Sequence, residues 1–199
     1  MKNQQISISI INIVLIFLIS GCGIFSLHPL FHKDDLIVKN EMIGTWQNEE
    51  DEKMFIMIDS IGDMKYEFRI IDDSDTVDLI MGLLKLKNEY FIDLFPNDDC
   101  SSITSDDCES WEMMFRNYIP VHTFMKFDYQ DGRIYLTEFD NERLIELFDQ
   151  KRIRLAHEMA GEDNDYVVIT ASTDDLQKFI TRYADDKDAF NDTEKYRRL

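Results

Sequence analysis

Short apolar runs that alternate with polar residues recur from residue 43 onward, separated by turn-forming residues. A period of two is the strand period: side chains at i and i+2 share a face, and their neighbours take the other. The pattern is clearest in 65–71, where Tyr66, Phe68 and Ile70 point one way and Glu67 and Arg69 the other. Segments 43–46, 53–60, 76–86, 89–95, 121–129, 133–139 and 166–171 read the same way, with 113–119 and 154–158 as further strand candidates. Asp131-Gly132 joins two of these segments, and that pair accepts the positive φ angles of a tight hairpin turn. No strand–helix–strand rhythm runs through the chain, which argues against a parallel α/β architecture. The expectation is a mainly β fold of seven to nine short antiparallel strands.

Two helices interrupt the strands. Residues 141–150 carry Leu144, Leu147 and Phe148 on one face. The second helix begins at Ser172, with Asp175 three positions on as a capping box. Leu176, Phe179, Ile180 and Tyr183 then fall at i, i+3, i+4 and i+7, an apolar stripe fit to cover a sheet or a barrel end. The last residues are largely charged. The expected division is a β domain over 41–185 and a charged, fraying tail over 186–199.

The N-terminus reads as an address. Lys2 gives a positive start, and the mostly apolar stretch 6–19, broken only by Ser7, Ser9 and Asn12 and uninterrupted over 13–19, has the length of a signal-peptide core rather than of a membrane span. Ile19-Ser20-Gly21-Cys22 then resembles the bacterial lipobox. That resemblance implies a signal peptide over 1–21, cleavage before Cys22 and acylation of the Cys22 thiol with fatty chains such as palmitate. Residues 22–40 become a lipid-anchored tether, in which Leu30, Phe31, Leu36 and Ile37 pack the segment against the domain. Two acyl chains hold a protein stably on a bilayer where one does so only marginally. Gly23 follows the Cys, with no Asp there to retain the protein at an inner membrane, so the expected location is the cell envelope, on the outer membrane facing the periplasm.

With Cys22 acylated, Cys100 and Cys108 remain, flanking a polar loop. An even remainder in an oxidising compartment predicts a disulfide, which in the chain-entropy model stabilises by roughly 2–3 kcal/mol.

Gly44-Thr45-Trp46, at the first strand of an all-β domain, resembles the Gly-x-Trp signature of the lipocalin and wider calycin group. The resemblance implies that Trp46 packs at the closed end of an eight-stranded barrel and that Gly44 lets the chain enter the first strand. Both are then structural residues rather than ligand contacts. A broader likeness, carried by Cys22 and residues 29–31, 35–38, 43–46, 90–96, 121–126 and 170–179, is to a group of bacterial lipoproteins. It implies no particular activity.

Chemistry is harder to find. The chain has 21 basic and 40 acidic side chains, net charge -19, which argues against nucleic acid, whose binding requires Lys and Arg to neutralise phosphates. Lys2 is the only charge before Cys22, so cleavage leaves the mature chain more acidic still. No nucleophile elbow, HExxH or P-loop is present, and no catalytic residue, metal or cofactor is expected. Asp93 and Glu138 are carboxylates an enzyme would need for acid–base work, though any two of 40 acids serve that argument equally. His28 and His32 straddle Pro29 without a third ligand. The acidic runs fall in loops without EF-hand spacing, and their charge predicts a body suspended from its anchor rather than lying on the membrane. His122, Phe124, Met57 and Met125 are the candidate cavity-lining residues. Two functions follow: a lipoprotein binding a small hydrophobic ligand in its barrel, or one with a filled barrel that contacts another envelope protein.

Overall fold

The alternating segments pair with their sequence neighbours. In the computed structural model, which describes residues 24–73, 75–97, 119–161 and 166–199, seven strands form an antiparallel meander. These are β2 (Gly44–Asn48), β3 (Met54–Gly62), β4 (Lys65–Asp72), β5 (Asp75–Leu86), β6 (Glu89–Pro96), β7 (His122–Gln130) and β8 (Arg133–Phe139). An eighth, β11 (Phe190–Arg198), pairs antiparallel with both β8 and β2 and closes the ring. The result is a closed eight-stranded, lipocalin-like barrel with two helices, α1 (Asn141–Asp149) and α2 (Thr173–Tyr183).

β11 corrects the expected tail. Only Phe190 and Tyr196 are apolar in it, too few to display a hydrophobic alternation. The strand is held by backbone pairing on two edges and by Tyr196, which points inward and is 1% exposed. Once both neighbouring strands exist, a polar sequence can fill the gap between them, because an unpaired β2 edge and β8 edge would each leave backbone groups without partners.

The tether also shortens. Ile24, two residues after Cys22, is fully buried in β1 (Ile24–Ser26). Leu30 and Leu36 are buried, and Phe31 and Ile37 pack half-buried beside them, as the apolar residues of this segment predict. The segment straps the barrel wall: Ile37 donates its N–H to the Leu83 carbonyl, and Leu36 bridges to Leu84. Gly82 makes room for it. A Cβ there would lie 2.8 Å from Phe31 Cε1 and 3.0 Å from Leu36 Cδ2. Gly82→Ala is therefore expected to lower stability by about 1–3 kcal/mol through overpacking, checked by urea unfolding. Suppression by Phe31→Leu, which withdraws the nearest ring, marks the strap as the cause.

β7 divides the sheet. One of its edges pairs with β6. The other pairs with β8 from Met125 to Gln130 and with β1 from His122 to Phe124. β1 continues into a small flap, parallel to β10 (Tyr166–Ile169), which is antiparallel to β9 (His157–Ala160). The flap, α1 and α2 enclose one apolar core against the outside of the barrel, with Phe91, Phe124, Phe139, Leu144, Leu147, Val167, Leu176 and Phe179. The barrel interior is the second core.

Local signals act as the residues require. Asp131 and Gly132 have φ +51° and +76°, the left-handed pair of the β7–β8 turn. The Asp140 carboxylate accepts the Arg143 N–H at the start of α1. Ser172 Oγ accepts the Asp175 N–H at the start of α2, whose stripe Leu176, Phe179, Ile180 and Tyr183 is buried throughout.

Candidate functional site

Inward positions of the barrel follow from alternation. Trp46, Ile56, Ile58, Tyr66, Phe68, Ile70, Met81, Leu83, Ile92, Leu94, Phe127, Ile134, Leu136 and Tyr196 form one contiguous buried cluster. Trp46, Tyr66, Phe68, Phe127 and Tyr196 are each 2% exposed or less. An eight-stranded barrel is just wide enough for side chains to fill, and these are the largest side chains available.

One end is plugged by residues 37–43. Met42 is fully buried, and Ile37 and Ile43 pack half-buried on the same core. Trp46 Nε1 donates to the Met42 carbonyl at 2.9 Å, and Tyr66 Oη accepts the Lys39 N–H at 2.7 Å. The Arg198 guanidinium stacks 4.5 Å above the Trp46 ring and donates to the Glu41 and Ile43 carbonyls. Gly44 has φ +143°, and Arg198 Nη1 is 3.5 Å from where its Cβ would stand. Gly44 and Trp46 thus pack into the plugged end of the barrel. Arg198, hidden in the charged C-terminus, is the residue the sequence reading missed.

The cavity-lining candidates do not come together. His122 and Phe124 lie on the outer face of β7, Phe124 in the core beneath the helices. Met57 alternates with the inward Ile56 and Ile58 and so faces outward, half-buried. Met125 alone is inward. Asp93 and Glu138 are on opposite faces of the wall, Asp93 outward beside Phe91 and Glu138 inward in register with Ile134 and Leu136, so they form no catalytic pair. Cys22, Cys100 and Cys108, with the expected disulfide and the strand candidate at 113–119 up to residue 118, lie outside the described residues.

What the fold does assemble is Asp93 with His122. β6 and β7 place them on adjacent strands of the outer face, and the strap crosses above them. Asp93 is 1% exposed; one carboxylate oxygen lies 2.6 Å from His122 Nδ1, and the other accepts the Leu30 N–H at 2.6 Å. Burial pushes the Asp93 carboxyl above the usual carboxylate range, opposed by the bonds from His122 and Leu30 and by the Lys65 charge. The His122 ring lies 4.5 Å from the Phe95 ring at a 34° tilt.

Ser26 stands opposite His122 in the β1–β7 ladder, so the three residue types of a serine hydrolase are neighbours. Their connectivity is different. Ser26 Oγ is fully engaged in a local turn, donating to the His28 carbonyl at 2.8 Å and accepting the His28 N–H at 3.1 Å. The pair therefore works as a clamp, fixing the strap to the barrel wall. Its second half is α2: Thr173 Oγ1 donates to the Pro29 carbonyl, and Gln177 Nε2 to the Leu30 carbonyl and the Asp35 carboxylate. Among the described residues no group of His, Cys, Asp and Glu has the arrangement to hold a metal ion. A surface cleft of about 530 Å³ lies at the start of α1, lined by Asp140, Glu142, Arg143, Glu146 and Asp188. Its wall is charged, unlike a site for a hydrophobe.

No family of proteins, curated protein or solved structure matches the chain.

Proposed function

We propose that this is a membrane-anchored bacterial lipoprotein that uses its barrel as a packed scaffold and its outer surface to contact another envelope protein. The observation that carries the scaffold reading is the inward cluster, whose five large aromatic rings are all buried. A barrel built to receive a small hydrophobic ligand needs an apolar space lined by side chains that the ligand would cover. Here the protein's own rings take that place. The anchor rests on the lipobox at residues 19–22, and its outer-membrane, periplasm-facing location on Gly23. The protein so read has no catalytic role.

Cys22→Ser is expected to abolish palmitate labelling and to move the protein out of the membrane fraction. A variant that still fractionates with membranes, from a parent that takes up no label, refutes the anchor. The scaffold reading has its own test. Native mass spectrometry of protein extracted from its membrane should show the polypeptide with its acyl chains and no further hydrophobe; a stoichiometric bound lipid would instead establish the ligand-binding reading.

A further inference from the structure

The flap has two faces. One, with Ile24, Val167 and Ile169, is buried under the helices. The other carries Phe25, Leu27, Val168 and Tyr166, with Val121 and Thr123 of β7 beside them, Thr123 directly opposite Phe25. Phe25 and Tyr166 meet edge to face at 6.2 Å, so the row is continuous across two strands. Leu27 is 39% and Tyr166 36% exposed.

We propose that this face is the surface the protein lays against the lipid bilayer. The inference rests on acylation of Cys22. Two residues of extended chain reach about 7 Å, so the acylated thiol and the buried Ile24 are never further apart than the thickness of a headgroup layer. The body cannot hang free from such an anchor, contrary to what net charge alone suggests. Whatever surface adjoins β1 must sit at the interface, and that surface is apolar with a Tyr at its margin, the composition suited to the headgroup boundary. The anchor and the apolar row set this placement, not the charge: of the acidic runs, 49–52 and 72–75 lie at β2–β3 and β4–β5, while 97–99 follows β6 and 161–165 joins β9 to β10. Glu158, opposite Val168 on β9, is the described carboxylate at the rim of the face.

The test uses the full acylated protein in vesicles of phosphatidylcholine with brominated acyl chains. Leu27→Trp adds a reporter on the face; Ile61→Trp adds one at an exposed position on β3, diametrically across the barrel. The added emission of Leu27→Trp is expected to be lost in brominated relative to ordinary vesicles, while that of Ile61→Trp is retained. Thermal melts matching the parent show that both variants fold. Equal emission from both reporters in vesicle-bound protein overturns the proposal and restores the suspended arrangement. A dimer in detergent that Leu27→Asp dissociates overturns it in favour of a second copy on this face. Absence of acyl chains from Cys22 by mass spectrometry overturns the anchor itself, a failure visible before any quenching is measured.

Discussion

A chain ending at Ala189 is expected to lose its cooperative unfolding transition altogether. Among the described residues β11 alone links β8 to β2, so its removal opens the barrel along its full height. The loss includes the ladder from Phe190 to Arg197 with β8 and from Tyr196 to Arg198 with β2. It includes the Tyr196 ring, buried in the interior and donating to Glu194 at 2.6 Å. It also removes Arg198 from its stack on Trp46 and its bonds to the plug. Ladder bonds contribute about 1 kcal/mol each and a buried aromatic about 2–3 kcal/mol, which together are comparable with the 5–15 kcal/mol that a domain has in total. The two bared strands add an aggregation hazard. Near-ultraviolet circular dichroism and a thermal melt give the readout. A truncated chain that still melts sharply would mean that residues 190–198 are the tail their composition suggests. Tyr196→Ala gives a graded version, with an expected loss of about 3–5 kcal/mol.

That strand marks the limit of what the residues disclose. β4 was legible because from Lys65 to Ile70 its inward positions are apolar and its outward ones charged, so a half-buried strand is the one structure that satisfies all six. The β7–β8 hairpin and the α2 cap were legible because Asp131-Gly132 and Ser172–Asp175 settle their own backbone locally. β11 is different. It exists because two other strands need it, and a partner's need is not written in the segment that answers it. β1 was hidden for a related reason: Ile24 and Phe25 read as part of an N-terminal anchor rather than as one edge of a flap. Arg198 was one of several charges in a charged run until Trp46 gave it a ring to cover.

Asp93 did carry a signal, a lone carboxylate within the apolar run Tyr90–Phe91–Ile92–Asp93–Leu94–Phe95. What the sequence withheld was its partners, 29 residues away at His122 and 63 away at Leu30. Their roles can be separated by substitution. Asp93→Ala leaves the His122 ring nitrogen and the Leu30 N–H without their acceptor at a buried position, at an expected loss of about 2–4 kcal/mol. Asp93→Asn keeps one oxygen and should cost about half as much. The pH dependence then identifies the carboxylate itself. Burial raises the Asp93 pKa in the folded protein, so from the ordinary carboxylate value near 4 up to that raised value the fold holds a proton that the unfolded chain has released. Stability from this group is full below that window and falls as pH rises through it. Asparagine cannot titrate, so the parent should lose ground to Asp93→Asn across the window and hold a constant difference on either side of it. Glu194, also raised by burial, is present in both chains and cancels. Repeating the comparison with His122→Gln in both chains leaves the carboxylate as the group under test. Urea unfolding at intervals between pH 4 and 7 measures the difference. A flat difference, or an alanine variant no weaker than the asparagine one, would show that Asp93 does not clamp the strap through a buried, proton-linked carboxylate.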